Sequence, residues 1–279
     1  MSRGSSASGL SLGSLPGHVA TLALALVLSA CAFIPSAPID PMEVSSRQRA
    51  IVDTIGGVLA EELARRSAEE ALLIELDDLY APLSEEQRAF LDAIRHLEGA
   101  DPTLGVAAGI EWVRIDGQRV PSAEGDASLG LQLLPLDVWS AFREMDRAMR
   151  SDLGRGLMIG SGYRSPAHQL FIFVRYMRDY DYSPEKTQPH VSLPGASDHN
   201  HVERQGIDFV SEGGIDLRYS DPPAFRALEE YRWLVENAGR FGFACDEPDG
   251  ASPWHWYFEG VARPSSEAPP EEGADLSSG

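Results

Sequence analysis

Three side chains able to bind a metal stand in short, distinctive patterns: His199 in Ser197-Asp198-His199, Asp208 in Gly206-Ile207-Asp208, and His255 in Pro253-Trp254-His255-Trp256. Two imidazoles and a carboxylate thus come from two separated stretches, and a fold that uses them together must bring those stretches to one point. Catalytic zinc is usually held by three ligands drawn from His, Asp and Glu, with the fourth position left to water. His199, Asp208 and His255 are therefore the expected zinc ligands.

The amino terminus reads as an export signal. Arg3 is the only formal charge before an apolar run from Val19 to Leu28, too short for the roughly twenty residues a transmembrane helix needs. The run ends in Leu28-Ser29-Ala30-Cys31, which resembles a lipobox: residues 1–30 would be removed and Cys31 lipidated, leaving an exported protein anchored to a membrane without spanning it. Ala32 follows the cysteine and gives no inner-membrane retention aspartate, so the outer membrane of the cell envelope is the expected site. Loss of the signal leaves Cys245 beside the apolar Phe241-Gly242-Phe243-Ala244, where a small core role fits. The formal charge of −20 argues against nucleic acid as a partner, because polyanions attract basic patches.

Residues 31–45 read as a Pro-rich tether and residues 46–100 as a helical appendage. Ile51, Ile55, Val58, Leu63, Leu72 and Leu76 recur at helical spacing, with an expected break at Gly56-Gly57 and a stop at Pro82; Ser84-Glu85-Glu86-Gln87 then reads as a capping box. Beyond residue 105, Asp116-Gly117 between Glu111–Ile115 and Arg119-Val120 reads as a hairpin turn. Leu136–Leu153 carries a helical stripe through Trp139, Phe142, Met145 and Met149, and Gly156–Ser161 reads as a short buried strand. Pro166 opens a helix with Leu170, Phe173, Val174 and Met177 inside, and Asp221 with Pro222-Pro223 starts another whose Phe225, Leu228, Tyr231, Leu234 and Ala238 face the core. Mixed helix and strand favour an α+β fold: a small antiparallel sheet with flanking helices around the zinc site. Residues 263–279, rich in Pro, Glu, Ser and Gly, read as a disordered tail. His168 and His190 have no partner at ligand spacing and read as surface or loop residues, while Trp254 and Trp256 read as core.

Ser161-Gly162-Tyr163-Arg164-Ser165 with Gln169, the Ser-x-His and Gly-x-Asp patterns, Glu230-Tyr231 through Phe241-Gly242-Phe243, and Trp254-His255-Trp256 occur in that order. Together they resemble the VanY-type D-alanyl-D-alanine carboxypeptidases, a family of zinc D,D-peptidases. The resemblance runs over roughly residues 130–261 and implies a peptidase domain within residues 105–262. It matches His199, Asp208 and His255 to the zinc ligands, Arg164 to a catalytic, substrate-side arginine, and Tyr163, Gln169 and Ser197 to substrate-binding positions. A planar guanidinium at Arg164 suits a bidentate grip on a carboxylate or support of an oxyanion.

Two positions depart from the family pattern. His201 stands at the family's usual distance from Asp208, whereas His199 has the Ser-x-His context but lies two positions further away; a loop insertion is the smaller change, so His199 is preferred. Ser252 also stands three positions before His255, where the family places a general-base glutamate. Serine cannot fill that role near neutral pH. Glu203, Glu247 and Asp249 are the candidate carboxylates to replace it, by proximity in sequence.

The sequence therefore leads to a lipid-anchored envelope protein that uses zinc to hydrolyse D-alanyl-D-alanine bonds in peptidoglycan stem peptides. The alternatives are an envelope protein that binds stem peptides or a partner without cutting, and a structural zinc domain closed by a fourth ligand such as His201.

Overall fold

The computed structural model describes residues 40–122, 125–214, 222–246 and 252–260. The signal-like segment with Cys31, most of the tether, Glu247, Asp249 and the tail lie outside the described residues. Among the described residues no helix is long and apolar enough to cross a membrane.

The centre is a four-stranded antiparallel sheet in the order β5-β6-β8-β7. Its strands are β5 (Leu157–Ser161), β6 (Gln205–Ser211), β7 (Phe243–Ala244) and β8 (His255–Phe258). Helix α5 (Leu136–Leu153) packs on one face, with Val138, Phe142, Met145 and Met149 meeting Ile159, Ile207, Phe209 and Trp256 in a single core. Its ends coincide with local signals: Pro135 precedes it, and Gly154 closes it at φ 73°, a left-handed value that glycine adopts without Cβ strain. Trp256 is buried in this core and Trp254 lies against it, as their sequence reading expects. Cys245 is half-buried at the same edge.

The expected helix after Asp221 is divided. Helix α7 (Pro222–Arg226) and helix α8 (Glu229–Asn237) are separated at Ala227–Leu228, and Ala238–Phe241 continues as a 3-10 turn. Phe225, Tyr231, Leu234 and Ala238 still reach the core.

Asp116-Gly117 does turn the chain, but it does not join paired strands. Strand β1 (Trp112–Ile115) pairs with β4 (Gln132–Pro135), and β2 (Arg119–Ser122) pairs with β3 (Gly125–Ser128), so one ladder is nested outside the other. The turn is diverted by Gln118, whose side-chain amide donates to the Ile159 carbonyl and accepts from the Ile159 N–H, both at 2.9 Å. The edge of β5 is thereby covered where its register with β6 shifts, between Ile159 and Ser161.

The helices before residue 100 share a core with the rest. Helix α1 (Ser46–Ala64) runs unbroken through Gly56-Gly57, against the sequence expectation. Each glycine costs a helix about 1 kcal/mol relative to alanine, while Ile51, Val52, Ile55, Leu59 and Leu63 are all buried, several times that in apolar transfer. The break comes later, where Ser67 and Glu70 form a capping box for α2 (Ala68–Leu72). Next come α3 (Leu76–Tyr80) and α4 (Glu85–Arg95), the latter opened by the Ser84–Gln87 capping box that the sequence predicts. Helix α1 and helix α4 bury Ile55, Leu59, Phe90 and Ile94 together with Leu170, Phe173, Val174 and Met177 of α6 (Pro166–Met177).

His168, read from sequence as a surface or loop residue, belongs to this seam. It sits on α6, and its Nδ1 donates to the Ala71 carbonyl at 2.6 Å. Burial pushes its pKa from 6.5 down to about 4. The unfolded chain takes up this proton first as pH falls, so the contribution is complete above about 6.5 and is lost towards 4. We expect metal-free protein to lose on the order of 2–3 kcal/mol through His168 across that window. Denaturant unfolding at pH 7 and 4.5 checks this: His168→Asn should flatten the pH dependence, and an unchanged slope would refute the assignment.

Candidate metal centre

The antiparallel register sets Asp208 of β6 directly opposite His255 of β8. Residues Ile207 and Phe209 turn to the core on the other face, as strand alternation requires. His199 arrives from the 3-10 turn Asp198–Asn200 just ahead of β6. That turn lies against the strand because position 206 has no side chain: a Cβ there would come within 2.8 Å of the Asp198 Cβ and 2.9 Å of the His199 nitrogen. The Gly-x-Asp spacing is thus a packing condition for bringing His199 to Asp208.

One ligand-type atom from each of His199, Asp208 and His255 lies within 4.8 Å of the others. His199 Nε2 is 3.3 Å from one Asp208 oxygen, and His255 Nδ1 is 2.9 Å from the other. His199 Nδ1 donates to the Gly162 carbonyl at 2.9 Å, which leaves Nε2 as an acceptor. An imidazole lone pair and a carboxylate oxygen facing each other call for a cation between them. Burial would raise the Asp208 pKa, but His199 and His255 override it and hold the carboxyl well below the usual range. His199 is lowered by burial and by the charge of Arg164. His255 is raised to about 9 despite burial, by its bonds to Asp198 and Asp208. Nitrogen and carboxylate donors in this number and spacing suit zinc.

His201 does not join the centre. Its Nε2 bonds the Gly195 carbonyl at 2.8 Å and its Nδ1 lies 3.5 Å from Glu203. Among the described residues the group has three members and no fourth protein ligand.

Arg164 borders the centre on a turn fixed at both ends. Its backbone N–H donates to the His199 carbonyl at 3.0 Å, and the Asn200 side chain donates to its carbonyl at 2.8 Å. The next residue, Ser165, donates through its N–H to Leu72 O at 2.8 Å and through its hydroxyl to Ile74 O at 2.7 Å. The guanidinium donates to Gln169 Oε1 at 2.5 Å and to Ser161 Oγ at 2.8 Å, both neutral. Among the described residues it forms no ion pair. Burial lowers its pKa to about 10, with Asp208 opposing.

The three positions expected to bind substrate are engaged within the protein. Tyr163 is fully buried, its ring tilted at 32° to Trp112 with centroids 4.3 Å apart, and its hydroxyl accepts from the Ala107 N–H. Gln169 is also buried, holding Arg164 with one end and donating to the Ser192 carbonyl with the other. Ser197 is buried and caps the 3-10 turn by accepting from the His199 N–H. Tyr163 and Gln169 are thus both tied into the interior, Gln169 directly to Arg164. Ser252 is exposed, and its carbonyl accepts the His255 N–H at 2.9 Å. The sequence reading assigned nothing to Asp198, yet its carboxylate lies 3.2 Å from His255 Nε2.

Residues 132–261 match the D-alanyl-D-alanine carboxypeptidase family VanY. Among solved structures, a zinc complex of a mutant vancomycin-resistance D,D-pentapeptidase VanY from a VanB-type cassette is 20% identical, covering 56% of this chain and 83% of that one, with a TM-score of 0.38. The LD-carboxypeptidase LdcB is 23% identical over 47% of this chain and 61% of its own, TM-score 0.38. DacB from Streptococcus pneumoniae D39 is 17% identical over 55% and 83%, TM-score 0.35. No curated protein matches the chain.

Replacing His199 by Ala should abolish stoichiometric zinc binding, and His201→Ala should leave zinc content within about twofold of wild type, since typical ligand loss costs far more than that. Metal analysis after dialysis decides between them; the reverse pattern would make His201 the ligand.

Proposed function

We propose, from the premise that residues 132–261 are a VanY-type domain, that the chain is a zinc D,D-carboxypeptidase acting on the D-alanyl-D-alanine ends of peptidoglycan stem peptides. The observation that carries this reading is Arg164: a guanidinium beside a three-ligand centre, hydrogen-bonded to the neutral Gln169 and Ser161 and depressed by burial to about 10. Among the described residues this cation forms no ion pair, Asp208 acting on it only through its nearby charge. A terminal D-alanine carboxylate supplies a counter-ion, through the bidentate geometry that guanidinium favours.

Zinc held by His199, Asp208 and His255 supplies a Lewis acid for the scissile carbonyl and lowers the pKa of water towards neutrality. The protein's own part is positional. Asp208 stays ionised throughout the neutral range, Gly162 fixes the His199 tautomer, and the Arg164 turn sets the distance between the carboxylate grip and the centre. Cys31 lipidation would hold the domain at the envelope, with the outer membrane favoured and the stem peptides within reach.

A second reading rests on Ser252. An exposed serine at the general-base position favours a protein that binds stem peptides without cutting, unless Glu203 or a carboxylate in 247–251 serves instead. Loss of a general base costs about 10² to 10⁴ in rate.

Release of D-alanine from a pentapeptide muropeptide by the zinc-loaded protein separates the two readings. The enzyme reading predicts release that disappears in His255→Ala and falls about 10²-fold or more in Arg164→Met. Zinc and peptide bound without release would establish the binding protein. In an active enzyme, Ser252→Glu should change the rate less than about tenfold if another carboxylate already serves, and raise it 10²-fold or more if none does.

A further inference from the structure

The two imidazoles of the centre are each tied at the nitrogen that faces away from Asp208. His199 Nδ1 donates to the backbone carbonyl of Gly162 at 2.9 Å. His255 Nε2 meets a side chain instead, the Asp198 carboxylate, at 3.2 Å, while its Nδ1 faces Asp208 at 2.9 Å. Asp198 is itself held. Its other oxygen accepts from Arg204 Nη1 at 2.6 Å. Arg204 also pairs with Asp246, which accepts from the Tyr257 hydroxyl. The Arg204 guanidinium lies 3.5 Å from the centroid of the Tyr257 ring, and Tyr257 follows His255 by two positions on β8, on the same face.

We propose that Asp198, held by Arg204, is a positioning residue that fixes the tautomer and ring orientation of His255 for metal binding. The proposal rests on the zinc peptidase reading above. A carboxylate on the outer nitrogen keeps the proton there, presents the Nδ1 lone pair to the centre and makes the imidazole a more basic ligand. The arrangement also joins the two ligand-bearing segments. Asp198 belongs to the turn that carries His199, so one rigid turn supplies one ligand and steadies the other across β6. Arg204 comes from the connection between His199 and Asp208, so the segment that joins these two residues also carries the arginine that holds Asp198.

The test measures zinc affinity in the full chain by competition with a chromophoric chelator, independently of turnover. Wild type should bind one zinc, and His199→Ala should lose it. Asp198→Ala should weaken binding 10- to 100-fold, the usual effect of removing such a partner. Asp198→Asn keeps an acceptor oxygen without the charge and should recover part of that loss, and Arg204→Met should cost a few-fold. Melting of the metal-free proteins should differ little among the Asp198 variants, since a purely structural role would appear there instead. If both Asp198 variants bind zinc within twofold of wild type, the inference is overturned while the metal centre stands. If Asp198→Ala does not fold, the isosteric Asp198→Asn alone decides by the same criterion. A wild type that binds no zinc, or a His199→Ala that retains it, overturns the peptidase reading and this inference with it.

Discussion

The centre depends on the cross-strand pairing of Asp208 with His255. In an antiparallel ladder, a slip of one residue turns every side chain to the opposite face. Here such a slip would carry Ile207, Phe209 and Trp256 out of the α5 core as well as parting the two ligands. The burial of these apolar residues therefore enforces the register that the ligands need. His199 depends on the same strand through Gly206, because any side chain at that position would push the 3-10 turn off β6.

The helices ahead of the family-matched segment are joined to the site, not appended to it. They share buried residues with α6, and the connection between α2 and α3 accepts two hydrogen bonds from Ser165. Ser165 is also the N-cap of α6, its hydroxyl accepting from the His168 N–H at 3.0 Å. Arg164 thus lies between a residue bound to the helices and a turn bound to β6. Leu72 and Leu73 pack against the Tyr163 cluster from the same side. The sequence leaves open whether these helices pack on the core, act as a spacer or bind a partner, because a helical stripe does not say which surface it covers.

What could be read in the sequence was what local chemistry decides. Helix α5 lies between Pro135 and Gly154, and α4 opens at its capping box, because those signals act within one turn of chain. His199, Asp208 and His255, which the fold brings within 4.8 Å of one another, were legible as a possible metal group from residue type and immediate context. What depended on distant partners was not. Gly56-Gly57 fails to break α1 because buried neighbours outweigh propensity. Asp116-Gly117 makes a turn without a hairpin because Gln118 is captured by Ile159 of another strand. The bonds of Tyr163 to Ala107 and of Gln169 to Arg164 and Ser192 likewise join residues that no local pattern links. Asp198 looked like a spacer inside Ser-x-His; only the β6–β8 register brings it to His255.

The backbone of Arg164 is bonded on one side to the His199 carbonyl and on the other by Asn200, so the positions of Arg164 and His199 are set together. The 3-10 turn that makes these bonds is capped by Ser197 and pinned through Asp198 to His255. The Arg164 turn is therefore located relative to His199, Asp208 and His255 by a continuous set of hydrogen bonds, formed without any bound ligand. This rigidity bears on Ser252. A general base adds a proton acceptor, whereas the grip and the centre supply orientation and charge, and these contributions are separable. A chain that keeps the second set intact retains what binding requires in either reading. The carboxylate that accepts the proton, if the chain cuts, must then come from a segment near His255 other than position 252.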